Sequence, residues 1–145
     1  MTQPAIRRAL DADRAAIVAL LDAAGLPTAD LDRSPIEFLV ADDAGVLVGV
    51  VGIERHGDGG LLRSLVVQPA MKGGGLGTQL VRALEARARA AGIARLVLLT
   101  QTAAPFFARL GYATIDRNDA PPAVRDSAEF RSICPASATC MAATL

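Results

Sequence analysis

The chain has 145 residues, 52% of them hydrophobic and many of those alanine, with Lys+Arg and Asp+Glu balanced at 15 each. That length suits one domain over residues 1–145 with about two-thirds of its unfolded surface buried, and the zero net charge argues against a dedicated nucleic-acid binder. No apolar run reaches the roughly 18 residues of a membrane span, Met1 to Arg8 lacks the apolar stretch of a signal peptide, and two cysteines are too few for a disulfide scaffold. A cytoplasmic protein with reduced thiols and no membrane contact is therefore expected.

Ala5 to Leu10 reads as a first strand. A helix starts near Asp11, an N-cap residue type, and carries Ile17, Leu20, Leu21 and Ala24 at i, i+3, i+4, i+7 spacing. Gly25 and Pro27 end it, and Thr28 to Pro35 is a loop or short helix able to border a pocket. Glu37 to Ala41 and Val46 to Glu54 form a hairpin around Asp42-Asp43-Ala44-Gly45. Leu61 to Val67 is the next strand, and a helix runs from about Gly75 to Ala91. Arg95 to Leu99 is apolar enough to be buried on both faces. Thr102 and Pro105 open a short helix closed by Gly111. Tyr112 to Ile115 is a strand, Pro121-Pro122 starts a helix reaching about Phe130, and Ala138 to Ala143 supplies a last strand. The order describes a mixed α/β domain, antiparallel early and crossing over later.

The turn Lys72-Gly73-Gly74-Gly75-Leu76-Gly77-Thr78 lies between a strand and a helix. A helix start has unpaired N–H groups and partial positive charge. Glycines let an anion approach that backbone, and Lys72 adds a cation, so a phosphate or pyrophosphate is the expected ligand. The Gly-Lys-Ser/Thr of a nucleotide-triphosphate loop is missing. The preceding strands look antiparallel, which argues against a dinucleotide fold.

With Leu65-Val66-Val67 before it, this segment resembles motif A of the GNAT superfamily of N-acetyltransferases: Arg or Gln, two residues, Gly, one residue, Gly or Ala. Lys72, Gly75 and Gly77 hold those positions, Lys72 departing from the usual Arg or Gln. Thr100 to Tyr112, with Ala103, Phe106, Phe107 and Gly111, resembles motif B; Thr100 stands where Asn is usual and Phe107 where Tyr is usual. The resemblance implies a central, mostly antiparallel sheet of six to seven strands flanked by about four helices. It implies acetyl-CoA as co-substrate and no metal, with Leu65, Val66 and Val67 along the pantetheine arm. Lys72, Gly73, Gly74, Gly75, Leu76, Gly77 and Thr78 would hold the pyrophosphate, and Thr100 and Phe107 complete the cofactor-binding set. It also implies a small-molecule amine substrate and, by analogy, a homodimer through late strands.

The implied reaction is attack of a neutral amine on the thioester. It needs a base and a donor for the oxyanion. The motif-B tyrosine that serves as acid in many relatives is Phe107 here, and the sole tyrosine, Tyr112, occupies a core position. A thiolate with an ordinary pKa of about 8.5 can leave unprotonated. Glu54, at the end of a hairpin strand, is the candidate base, with His56 in the adjacent turn as an exposed alternative. Arg63 and Ser64 interrupt an apolar strand, one on each face. Ser64 is a second catalytic candidate, and Arg63 could bind an anionic group bidentately.

The tail from Asp119 through Arg125, Glu129, Cys134 and Cys140 to Met141, together with Leu62-Arg63-Ser64-Leu65-Val66-Val67, resembles the arsenic-resistance (ArsN-type) acetyltransferases. That implies an anionic, amino-acid-like amine, with an organoarsenical as one candidate, and makes Arg63 and Arg125 carboxylate-binding candidates. Soft trivalent arsenic prefers thiolates, so Cys134 and Cys140 are either a metalloid pair or two structural thiols. A protein N-acetyltransferase and a non-catalytic sensor of acetyl-CoA or metalloid are the alternative readings, the missing motif-B tyrosine favouring the sensor.

Overall fold

The computed structural model describes residues 3–133 and 137–145. Its strands are β1 (Ala5–Arg8), β2 (Ile36–Asp43), β3 (Val46–His56), β4 (Gly59–Val67), β5 (Arg95–Thr100), β6 (Ala113–Thr114) and β7 (Thr139–Thr144). The α-helices are α1 (Arg14–Ala23), α2 (Leu76–Ala90), α3 (Ala104–Arg109) and α4 (Pro122–Arg125). The strands form one sheet in the order β1-β2-β3-β4-β5-β7-β6. Neighbours are antiparallel except β4 and β5, which run parallel. This is the mixed α/β architecture expected, with the tail strand β7 inserted between β5 and β6. Among the described residues no helix is long and apolar enough to cross a membrane.

Alternation along the strands sorts the core into two faces. Leu39, Val51, Ile53, Leu62, Leu96 and Leu98 join Leu76, Leu80 and Leu84 of α2 on one face. On the other, Phe38, Val40, Val50 and Val66 meet Ile17 and Leu21 of α1. Leu61, Val97 and Cys140 meet Val124 of α4 farther along that second face. Burial of this amphipathic surface, at about 25 cal/mol per Å², is what holds these Ala-rich helices in place, because helices this short are marginal alone in water. Helix α2 comes close to the sheet at Gly49. A Cβ there would lie 2.9 Å from Leu80 Cδ1 and 3.3 Å from the Val66 carbonyl oxygen.

Three expected elements come out shorter. β1 stops at Arg8, β6 keeps only Ala113 and Thr114 of the expected four, and the helix after Pro122 is a single turn. Ser127 explains the last: its Oγ accepts the Phe130 N–H at 3.4 Å and its own N–H bonds to Val124 at 3.0 Å. Serine offers the backbone such local partners in place of continued helix, and a π-helical turn, Glu129–Ile133, follows.

Two departures from regularity position the site. Pairing of β4 with β5 covers only Gly59–Leu61 against Arg95–Val97, after which the two strands part. From Leu62 onward the β5-facing edge of β4 has no strand beside it. On its other edge, Val50 opposes Val66 while Gly52 opposes Arg63. Ser64 and Leu65 therefore stand against the single residue Val51, which is a β-bulge. Ser64 sits at its apex with φ 60°, a left-handed conformation rare for a residue with a side chain.

Candidate active site

Where β4 leaves β5, a cleft of about 1360 Å³ opens. It is lined by Leu65, Val66 and Val67 of β4, by the glycine turn, and by Thr102, Ala103, Phe106 and Arg109 at the start and outer side of α3. The flank of α1, lined by alanines and Leu20, extends it beyond the end of the sheet.

Gly75 is the N-cap of α2, at φ 83° and ψ 8°, and Gly73 has φ 90°. A side chain at Gly75 would meet no atom within 4 Å, so it is the backbone angle, not crowding, that demands glycine. The first intrahelical bond runs from Gln79 N–H to the Gly75 carbonyl at 3.0 Å, so the amides of Leu76, Gly77 and Thr78 precede the helix's own acceptors. Lys72, Gly73, Gly75, Leu76, Gly77 and Thr78 all line the cleft. Amides, dipole and Lys72 together make this end of the cleft an anion cradle. The free edge of β4 offers carbonyl and N–H groups to an extended, amide-bearing chain.

Other expected site residues stand elsewhere. Gly74, Thr100 and Phe107 do not line the cleft. Thr100 Oγ1 instead accepts the Ala103 N–H at 3.0 Å, fixing the entry to α3. Phe107 is buried edge-on between Phe106 (5.0 Å) and Tyr112 (5.5 Å). The helical turn puts its neighbour Phe106 on the cleft side, against Gly77. Arg125 is exposed on α4, outside the cleft.

Arg63 and Glu54 are interior groups. The Arg63 side chain is 0% exposed. Its Nη1 donates to Asp30 Oδ2 at 2.5 Å and Glu54 Oε2 at 2.8 Å, its Nη2 to Asp30 Oδ1 at 2.8 Å, and its Nε to Ser64 Oγ at 3.2 Å. Glu129 Oε1 lies 3.9 Å from Nε. The second Glu54 oxygen is 2.9 Å from His56 Nε2. The expected substrate-carboxylate clamp is thus corrected: the fork of Arg63 is already closed by carboxylates of the chain, and Arg125 is remote. Glu54, expected at a strand end, is 1% exposed inside β3 and does not face the cleft. Burial alone would discharge Asp30 and Arg63. Their mutual hydrogen bonds outweigh it, holding the Asp30 carboxyl below the usual range and raising the guanidinium.

Sequence reasoning missed Asp30, Thr102, Phe106 and Arg109. The signal for Asp30 was an arginine in an apolar strand, since a buried cation needs a nearby carboxylate. Cys140 is buried, and burial pushes its thiol up, away from the reactive thiolate. Cys134 lies outside the described residues.

The hydroxyl of Tyr112 donates to Glu85 Oε2 at 2.9 Å, and burial together with that carboxylate raises the phenol well above its ordinary pKa. Replacing Tyr112 with Phe is expected to leave any turnover within about twofold while costing roughly 1–3 kcal/mol of stability. Paired kinetics and urea melts check this. Because the folded-state pKa is raised, the tyrosine's contribution is complete below pH of about 10 and is lost as pH rises further.

Residues 34–114 match the family model described as acetyltransferase (GNAT) domain. An IAA acetyltransferase of Azospirillum brasilense is 39% identical over 72 residues, 48% of this chain and 47% of that one. An amino-acid acetyltransferase of Ralstonia nicotianae is 33% identical over 90 residues, 59% of this chain and 20% of its own length. The chain thus spans about half of the first relative and a fifth of the second. The N-acetylglutamate synthase of Neisseria gonorrhoeae, solved with coenzyme A and N-acetyl-glutamate, is similar in fold with TM-score 0.84 at 25% identity, covering 100% of this chain and 36% of that one. A Mycobacterium tuberculosis protein solved with CoA gives TM-score 0.82 at 27% identity, over 98% of this chain and 99% of its own. With the matched segment filling more than half of its 145 residues, the chain belongs to the GNAT acetyltransferase family.

Proposed function

We propose that this protein transfers an acetyl group from acetyl-CoA to the amine of a small, amino-acid-like acceptor. The observation that carries the reading is the parting of β4 from β5 beside the glycine-capped start of α2. An open strand edge and an anion cradle, placed end to end in one cleft, suit a ligand that is an amide chain at one end and a diphosphate at the other. Acetyl-CoA supplies the activated thioester.

The amides of Gly73 and of Gly75 to Thr78, with Lys72, hold the diphosphate. Leu65, Val66 and Val67 pair along the pantetheine arm, which brings the thioester to the bulge. Backbone N–H groups freed from the ladder there stabilise the oxyanion that develops on attack. No phenol lines the cleft, so the thiolate leaves without a side-chain acid, as a thiol pKa of about 8.5 permits. The acceptor approaches from the side of α1, and a water relays its proton outward.

The relatives' names support an amino acid as acceptor. The resemblance of the tail and β4 to arsenic-resistance acetyltransferases supports an anionic, amino-acid-like amine, with an organoarsenical as one candidate. Lys72 and Arg109 are the cations that line the cleft. Cytoplasmic residence and a homodimer through the late strands belong to the same proposal. A second reading, a sensor that binds acetyl-CoA without turnover, is favoured by the sealed Tyr112 hydroxyl and the buried Phe107.

CoA-thiol release from acetyl-CoA, with amino acids, their arsenical and phosphinate analogues and simple amines as acceptors, separates the two. Turnover above the acceptor-free rate supports the enzyme. Tight acetyl-CoA binding with no release for any acceptor would move the assignment to the sensor.

A further inference from the structure

We propose that Asp30 and Arg63 form a positioning pair that holds the β4 bulge in its active shape and so sets the acetyl-transfer rate without touching either substrate. This rests on the acetyltransferase reading above.

Among the described residues only Ala44 and Ser64 have positive φ without being glycine. Ala44 sits in the β2–β3 turn, where such angles are ordinary. Ser64 sits inside a strand, where a side-chain-bearing residue holds that conformation only if its surroundings over-determine it. No glycine relieves the position, so something else must hold it.

Arg63 is that restraint. Its Nε donates to the Ser64 hydroxyl at 3.2 Å, while its two terminal nitrogens engage both oxygens of Asp30 and one of Glu54. The planar fork is therefore aligned from three places: the α1–β2 loop through Asp30, β3 through Glu54, and β4 itself. Asp30 is fixed in turn by the Ser34 hydroxyl at 2.6 Å and by burial to 1% exposure. A lysine ammonium has no fork and no fixed Nε direction, so it cannot reproduce this alignment.

The consequence reaches the cleft through the backbone. None of Asp30, Glu54, Arg63 and Ser64 lines the cleft, but Leu65, the other residue of the bulge, does. The bulge decides which way the Leu65 and Val66 amides point. Relaxing Ser64 toward ordinary strand angles turns those groups away from the thioester, and small misplacements of this kind cost about a hundredfold in rate.

The test combines Arg63→Lys, Asp30→Asn and the double variant Arg63→Lys/Ser64→Gly. Two readouts are taken: steady-state kinetics, and amide hydrogen exchange of β4 against α2. Both single variants are expected to lose at least about tenfold in kcat, with KM for acetyl-CoA within about twofold and faster exchange confined to residues 64–67. Glycine accepts positive φ freely, so Ser64→Gly is expected to restore most of the kcat lost by Arg63→Lys, which a general stability defect would not allow. Unchanged kcat and exchange in both single variants overturns the proposal. A raised KM for anionic acceptors alone, with kcat kept for neutral amines, overturns it in favour of a substrate clamp. If the wild type turns over no acceptor, the acetyltransferase reading fails by itself. The exchange pattern then still decides the restraint: unchanged protection of residues 64–67 in Arg63→Lys rejects it. Asp30→Asn keeps the shape of the side chain, so it remains informative if Arg63→Lys does not fold.

Discussion

Replacing Gly75 with valine is expected to raise the Kd for CoA about a hundredfold. Two physical effects act in the same direction. Gly75 caps α2 at φ 83°, and a β-branched residue at such an angle costs roughly 1–3 kcal/mol. That strain is relieved by rotating the cap toward ordinary angles, which turns the Leu76, Gly77 and Thr78 amides off the diphosphate. Hydrogen bonds to a charged partner contribute about 1.5–3 kcal/mol each, and about 1.4 kcal/mol is tenfold in affinity. Losing one bond and weakening another accounts for the hundredfold. The space around Gly75 is open, so the substitution builds no clash into the core. Isothermal titration with CoA reads the affinity, and a thermal melt of the unliganded protein keeps binding loss separate from unfolding. Gly75→Ala carries a smaller angle penalty and should fall between the two. A Kd for Gly75→Val within about threefold of wild type would mean that the turn's amides do not carry the affinity.

The glycine turn was legible in the sequence because its chemistry is local. The positive φ of Gly73 and Gly75 and their place at the start of α2 depend on consecutive residues, so the geometry of the turn could be read without knowing the fold. The succession of elements along the chain was nearly as legible, since hydrophobic alternation and turn residues punctuate it at each step, but the insertion of β7 between β5 and β6 was not. Arg63 was legible only as an anomaly. Its partner Asp30 lies 33 residues away in a loop without periodicity, and nothing local distinguishes an arginine awaiting a ligand from one already paired. Glu54 misled for the same reason: two strand residues beyond the expected end carried it from a solvated edge to the interior. Phe107 was named from its place in the resembling motif, whereas Phe106 lines the cleft, because a one-residue step in a helix rotates a side chain by about 100°. The bulge left no trace at all in the sequence, because it depends on the register between β3 and β4 and on Ser64 accepting an angle that serine normally avoids.

Leu80→Ala is expected to be the most destabilising of the substitutions considered, at about 2–5 kcal/mol. Leu80 is 0% exposed and lies where α2 crosses β3, with Cδ1 directly over Gly49. The loss combines the transfer energy of the removed methyl groups with the cavity they leave, and the rigid sheet below cannot collapse to fill it. Gly49 makes the prediction sharper. A Cβ added there meets Leu80 Cδ1 at 2.9 Å and the Val66 carbonyl oxygen at 3.3 Å, so Gly49→Ala alone should cost about 1–3 kcal/mol by overpacking. In Leu80→Ala the first of those obstacles is gone, and the alanine methyl enters the vacated space. The double variant should therefore be more stable than the sum of the single losses, by about 0.5–3 kcal/mol of favourable coupling. Urea melts of the four proteins close the cycle. Strict additivity would mean that α2 settles toward the sheet when Leu80 is cut back and refills the space the alanine methyl would take. CoA affinity measured on the same four proteins would register that movement, because the first turn of this helix is where the proposal seats the diphosphate.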